Sequence, residues 1–134
     1  MSAPVVEVGT VLPELELYGD PTFIVSTAIA TRDYQDVHHD RDKAVAKGSK
    51  DIFVNILTDT GLVGRYVTDW AGPTAVIKSI GLRLGVPWYA YDTVTFRGEV
   101  TAVEEGLITL KVVGSNSLGD HVIATATLTI GAAA

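Results

Sequence analysis

At 134 residues the chain fits a single domain, residues 1–134, long enough to bury a core and too short for two ordinary domains. An apolar fraction of 47% against 19% charged residues excludes disorder and predicts that some apolar surface is buried between subunits, while a net charge of −6 excludes general nucleic-acid binding. Zero cysteines exclude disulfides, thiolate catalysis and cysteine-ligated metal; no apolar run reaches the roughly 18 residues of a membrane span, and residues 1–7 lack the basic start and apolar core of a signal peptide, so a cytoplasmic chain is expected.

Residues 22–30 (TFIVSTAIA) are β-branched and apolar, which predicts a strand. A polar knot follows, Arg32-Asp33-Tyr34-Gln35-Asp36-Val37-His38-His39-Asp40. Residues 40–47 have helical composition and stop at Gly48, which predicts a short helix with a C-terminal glycine. Ser49 reads as the N-cap of a longer helix over about 51–69, in which Ile52, Phe53, Ile56, Leu57, Val63 and Val67 recur at helical spacing; Gly72-Pro73 ends it. Gly61 and Gly64 inside this helix cost about 1 kcal/mol each relative to alanine, and close approach to a sheet is the expected reason.

The second half reads as four strands. Ile80, Leu82, Leu84 and Val86 alternate with small or polar residues up to Pro87, and Val94, Phe96 and Val100 repeat the pattern. After a Glu104-Glu105-Gly106 turn, Ile108, Leu110 and Val112 form a third apolar face; beyond Ser115-Asn116-Ser117, Ala124, Ala126, Leu128 and Ile130 form a fourth. Short turns between consecutive strands predict an antiparallel meander. The expected architecture is α+β, a curved antiparallel sheet wrapped around a central helix, with a frayed tail at 132–134.

The knot carries the candidate chemistry. An ionisable Asp33 and a His38 five positions later, anchored by apolar sequence on both sides, can converge on one water. On spacing alone, a surface loop in which Asp33 caps a turn and His38 satisfies a backbone group competes with that reading. His38, His39, Asp40 and Asp42 are also metal-ligand types, but adjacent histidines seldom face one cation and no H-E-x-x-H pattern is present, so no metal is expected. A Ser/His/Asp nucleophile has no G-x-S-x-G elbow to sit on. Lys43, Lys47 and Lys50, three and four apart, form either a basic ridge for phosphates or a solvated helix face.

Asp33-Tyr34-Gln35-Asp36-Val37-His38, five residues and then Ala44 resemble the MaoC-type (R)-specific enoyl-CoA hydratase motif D-x-N-P-x-H-x5-A. IFVNILT at 52–58 stands where that family has I-A-H-G-M-L-T, and the stretch with Asp92-Thr93 followed by Gly98 resembles its P-V-x-x-G-D-T strand. The resemblance runs from Val11 to Ile130. It is closer still to the small subunits of heteromeric steroid side-chain enoyl-CoA hydratases, through VLPELELYGDPTFIVSTAIATRDYQDVHHDRDKAVAKGSKDIFVNILTDTGLVGRYVTDWAG and IGLRLGVPWYAYDTVTF.

The resemblance implies a hotdog fold and hydration of a steroid enoyl-CoA in cholesterol side-chain degradation. It also implies a larger partner subunit with a MaoC-like domain, in a heterodimer or heterotetramer, and no cofactor beyond the CoA of the substrate. Carried over by motif position, Asp33 orients and helps deprotonate the water, His38 shuttles the proton, and the backbone N–H of Asn55 at the head of the central helix stabilises the thioester oxyanion. Lys43, Lys47, Lys50 and Arg65 are the candidate CoA-phosphate ligands. The chain departs from the motif at Arg32 for glycine, Gln35-Asp36 for Asn-Pro, and Val54-Asn55 for His-Gly. Related hydratases carry a helix before the motif; here a strand is expected to lead straight into Asp33, leaving room for a bulky ring system. A hotdog acyl-CoA thioesterase, which would release free CoA, and a non-catalytic subunit are the alternatives.

Overall fold

The computed structural model describes residues 6–131, so the tail expected to fray at 132–134 lies outside the described residues. In chain order the elements are β1 (Leu15–Gly19), α1 (Pro21–Ala30), a 3₁₀ turn (Asp36–His38), α2 (Arg41–Ala46), α3 (Ile56–Ala71), β2 (Ala75–Leu84), β3 (Asp92–Glu104), β4 (Leu107–Asn116) and β5 (Gly119–Ile130). The strands make one five-stranded antiparallel sheet in the order β1-β3-β4-β5-β2.

The sheet face packed on α3 is the alternating set expected from the sequence. Val94, Phe96, Val100, Ile108, Leu110, Val112, Ala124, Ala126 and Leu128 are buried and meet Val63, Tyr66, Val67 and Ala71 of α3 in one core. The Tyr66 ring lies 6.1 Å from that of Phe96, and its hydroxyl donates to the Pro13 carbonyl at 2.7 Å. Each fully buried Val, Leu or Phe stabilises the fold by roughly 1.5–3 kcal/mol, so this helix-in-sheet contact dominates stability. The architecture is the α+β hotdog arrangement.

Four local expectations need correction. First, residues 22–30 are not a strand but the body of α1. The Asp20 carboxylate caps the Phe23 N–H at 2.8 Å and proline occupies the first turn, a helix start that outweighs β-branched composition. Ile24 and Ala28, one turn apart, are buried. A helix therefore does precede Asp33, and the expected room for a ring system from a missing helix is absent.

Second, α3 begins at Ile56 with Asn55 as N-cap, not near Ser49. Residues 51–55 run extended because their backbone is engaged laterally: Phe53 N–H donates to Val37 at 3.2 Å, Val54 N–H to Trp88 at 3.0 Å, and Ala90 N–H to Ile52 at 3.1 Å. Gly72 closes the helix as expected, at φ 88°.

Third, only β3, β4 and β5 form a meander. β2 pairs with the outer edge of β5, Leu84 opposite Val122, and β1, absent from the expected elements, flanks β3 with Leu15 opposite Phe96. The segment between β2 and β3 is a crossover, tied at one end by Gly85 N–H to His121 (2.8 Å) and at the other by Tyr91 N–H to Gly19 (2.7 Å). It buries Trp88 so tightly against Gly19 that a Cβ there would lie 2.6 Å from the indole nitrogen. Fourth, of the two helix glycines, a Cβ at Gly64 would meet Ile80 of β2 at an ordinary 3.7 Å and one at Gly61 would meet open space; close approach to the sheet requires glycine at neither.

Candidate active site

The C-terminus of α1 delivers Asp33. Thr31 is the C-cap, Arg32 turns left-handed at φ 58°, and the Asp33 N–H reaches back to the Ala28 carbonyl at 2.9 Å while Arg32 N–H donates to Ile29 at 3.0 Å. This is the double closure of a Schellman motif, with arginine where glycine is favoured. Asp33 Oδ1 then accepts the Gln35 N–H at 3.3 Å.

His38 sits at the end of the 3₁₀ turn, 7% exposed. Its Nδ1 lies 2.7 Å from the Phe53 carbonyl, and its ring meets the Phe53 ring edge-on at 4.9 Å. A carbonyl only accepts, so Nδ1 carries the hydrogen and Nε2 is the nitrogen free to take one. Nε2 faces Asp33 Oδ2 at 3.5 Å. Asp33 and His38 are thus brought together, with two proton acceptors side by side whenever the imidazole is neutral.

Asn55 closes the site from the head of α3 and is 1% exposed. Its Nδ2 donates to Asp33 Oδ2 at 3.2 Å and to Thr31 Oγ1 at 2.9 Å. Its Oδ1 accepts the Thr58 N–H at 3.3 Å and the Thr58 hydroxyl. The Asn55 backbone has φ −84°, a region open to any residue, and its N–H makes no hydrogen bond among the described residues.

The neighbouring charges do other work. Asp40 caps α2 through the Lys43 N–H at 3.1 Å. Asp36 holds Lys43 at 3.9 Å, Lys47 at 3.4 Å and His39 at 4.0 Å. Because α2 ends at Ala46, Lys50 lies beyond the helix and the expected three-lysine ridge reduces to Lys43 and Lys47. Lys50 instead lines a cavity of about 350 Å³ with Asp51, Asp92, Tyr89, Tyr91 and Leu118. Arg65 pairs with Asp69 along α3 at 3.4 Å. Among the described residues no group of three or more His, Asp or Glu side chains is placed to hold a metal, and no helix is long and apolar enough to cross a membrane.

A second Asp–His pair has no short motif to announce it. Asp59 of α3 and His121 of β5, 0% and 1% exposed, meet at 2.8 Å between Oδ2 and Nε2, and His121 Nδ1 lies 2.7 Å from the Val86 carbonyl. Burial pushes the Asp59 carboxyl up, against the pull of the hydrogen bond and charge of His121. Burial works against the charged form of His121, but the hydrogen bond and charge of Asp59, helped by Val86, raise it above the usual imidazole value. Asp59 Oδ1 has no hydrogen-bond partner among the described residues. The one available signal was an acid at the helical spacing of buried Val63, Tyr66 and Val67.

No protein-family profile matches the sequence. The 3-oxo-4,17-pregnadiene-20-carboxyl-CoA hydratase beta subunit of Mycobacterium tuberculosis is 85% identical over 123 residues, covering 92% of this chain and 95% of that protein. A chain of the crystallised ChsH1–ChsH2 complex from Mycobacterium tuberculosis is 82% identical and superposes with a TM-score of 0.93, over 95% of this chain and 100% of that one. The (R)-hydratase from A. caviae involved in PHA biosynthesis shares the fold at 21% identity, with a TM-score of 0.87 over 96% of this chain and 100% of its own. With near-complete coverage at such identity, the chain belongs to the family of the 3-oxo-4,17-pregnadiene-20-carboxyl-CoA hydratase beta subunit, on the hotdog fold of MaoC-type hydratases.

Proposed function

We propose that this chain is the water-activating subunit of a heteromeric enoyl-CoA hydratase, adding water across the α,β double bond of a steroid side-chain enoyl-CoA. The observation that carries the reading is the pair of acceptors, Asp33 Oδ2 and His38 Nε2, held 3.5 Å apart at a partly open site. One water bridging them donates a hydrogen to each and turns a lone pair outward.

As that oxygen bonds to Cβ, the π electrons move toward the thioester, and His38 Nε2 takes the water's proton. The imidazolium so formed lies against the Asp33 carboxylate, which orients the water and stabilises the charge. Nε2 then returns the proton to Cα as the enolate collapses, so that H and OH are added with no net proton gained or lost. The Asn55 N–H, at the positive end of α3, supplies the donor for the thioester oxygen during that interval.

The substrate class and the larger MaoC-like partner rest on the 85% identical relative, a beta subunit by name, and on the two-component complex that holds the 82% identical chain. The chemistry asks for no cofactor beyond the CoA of the substrate, and its setting is the cytoplasm. Of the candidate CoA-phosphate ligands, Lys43, Lys47 and Arg65 are paired with carboxylates; Lys50, which has no ion pair among the described residues but shares its cavity with Asp51 and Asp92, is the first choice.

The test is the assembled complex with its larger subunit, followed by loss of enoyl-thioester absorbance. Asp33→Asn and His38→Ala should each lower kcat by about 10²–10⁴-fold. Unchanged turnover in both variants would mean that the partner carries the chemistry, and release of free thiol from the enoyl-CoA would mean a thioesterase.

A further inference from the structure

The Asn55 side chain does more than cap a helix. Its carboxamide has no unused hydrogen-bonding group: both Nδ2 hydrogens are donated, to Thr31 Oγ1 (2.9 Å) and Asp33 Oδ2 (3.2 Å), and Oδ1 accepts twice from Thr58. The orientation of the amide follows from the backbone. The Thr58 N–H can only donate, so the amide oxygen must face it, and the NH₂ group must face Thr31 and Asp33. Thr31 is itself fixed, because its hydroxyl donates to the Thr27 carbonyl at 2.8 Å.

We propose that Asn55 is a positioning residue that fixes the orientation of the Asp33 carboxylate and keeps it from closing onto His38. An amide N–H on Oδ2 and the Gln35 N–H on Oδ1 give each carboxylate oxygen a donor, which fixes the plane of the carboxylate. The remaining gap to His38 Nε2, 3.5 Å, is too long for a direct hydrogen bond. Freed from Asn55, Asp33 rotates toward His38 when the ring is protonated, forms the direct pair, and displaces the water that the two must share. This inference rests on the hydratase reading above and deepens it by adding a residue whose side chain the sequence resemblance assigns no role, since glycine stands there in the motif.

The discriminating variant is Asn55→Asp in the assembled complex. Aspartate is as good an N-cap as asparagine and keeps an acceptor for Thr58, but it turns a donor to Asp33 into a second carboxylate. A positioning role predicts a complex that still folds and assembles, with a lower thermal midpoint because a second carboxylate enters a 1% exposed position beside Asp33, KM within about twofold, and kcat lower by roughly tenfold to a hundredfold. Asn55→Ser, which also caps the helix but lacks the amide donor, should lose kcat in the same way, and it carries the test if the aspartate variant fails to fold. Asn55→Gly keeps the backbone N–H and drops the side chain; loss of kcat there separates the carboxamide from the oxyanion donor. Full kcat in the Asn55→Asp or Asn55→Ser complex, or a loss confined to KM, overturns the inference. Asp33→Asn keeps the two hypotheses apart: if it is inactive while Asn55→Ser is fully active, the positioning role alone fails, and if it is active the hydratase assignment itself fails.

Discussion

Arg32 occupies the left-handed position, φ 58°, that closes α1 and aims Asp33. Its side chain is exposed, and a non-glycine residue in that region costs roughly 1–2 kcal/mol. Arg32→Gly should therefore stabilise the full chain by about 1 kcal/mol, read as a higher urea midpoint at unchanged slope; a lower midpoint would mean that the arginine side chain contributes more than its backbone strain costs. The same residue marks how far the site can be read from sequence. Asp33 and His38 lie within one short motif, so their meeting is legible. The Asn55 carboxamide is not, because its partners Asp33 and Thr31 are 22 and 24 positions away and nothing local distinguishes it from an ordinary helix cap.

At the level of elements, the pair that ties α3 to β5 sets a pH dependence of stability. Asp59 and His121 both hold protons more tightly folded than unfolded, so the folded state binds more protons and stability falls as pH rises. The contribution of His121 is fully present below about pH 6.5, its unfolded value, and is lost as pH climbs through the raised folded value. Urea unfolding between pH 6 and 9 should show a steeper decline for the native chain than for an Asp59→Asn/His121→Gln double variant; parallel declines would mean that the pair does not hold its protons more tightly in the folded state. His121→Phe alone, which strands a buried carboxylate, should cost about 3–5 kcal/mol. The pair is invisible to local pattern for the reason that β2 is misplaced by it: Asp59 and His121 are 62 positions apart, and alternation shows that β2 is a strand without naming its neighbour. In α1, by contrast, the decisive signal was local. Asp20-Pro21 specifies a helix start, and β-branched composition obscures it.

For the whole molecule, alternation of period two over four segments and one apolar helix make a curved sheet wrapped around a helix legible, and the hotdog fold itself is implied only by the family resemblance; what covers its surface is a different matter. Ile29, Tyr34, Ile56 and Leu57 are about half exposed or more, at 53%, 65%, 46% and 49%, and all are sequence neighbours of the Thr31, Asp33 and Asn55 side chains that hydrogen-bond one another. Exposed apolar side chains flanking the site residues in sequence, on a chain of net charge −6 whose Lys43 and Lys47 are paired with Asp36, are poorly suited to bind an anionic thioester unaided. A larger subunit that covered these side chains and carried a basic surface would resolve both problems. Leu57→Lys, which leaves Asp33, His38 and Asn55 untouched, should weaken co-assembly with that subunit by at least about tenfold, measured by titration calorimetry or co-elution, with the far-ultraviolet circular dichroism of the chain unchanged. Assembly of undiminished strength with a raised KM would instead place these side chains against the steroid rings, so the two surfaces that an apolar patch can serve are separated by whether the substitution acts on the protein partner or on the substrate.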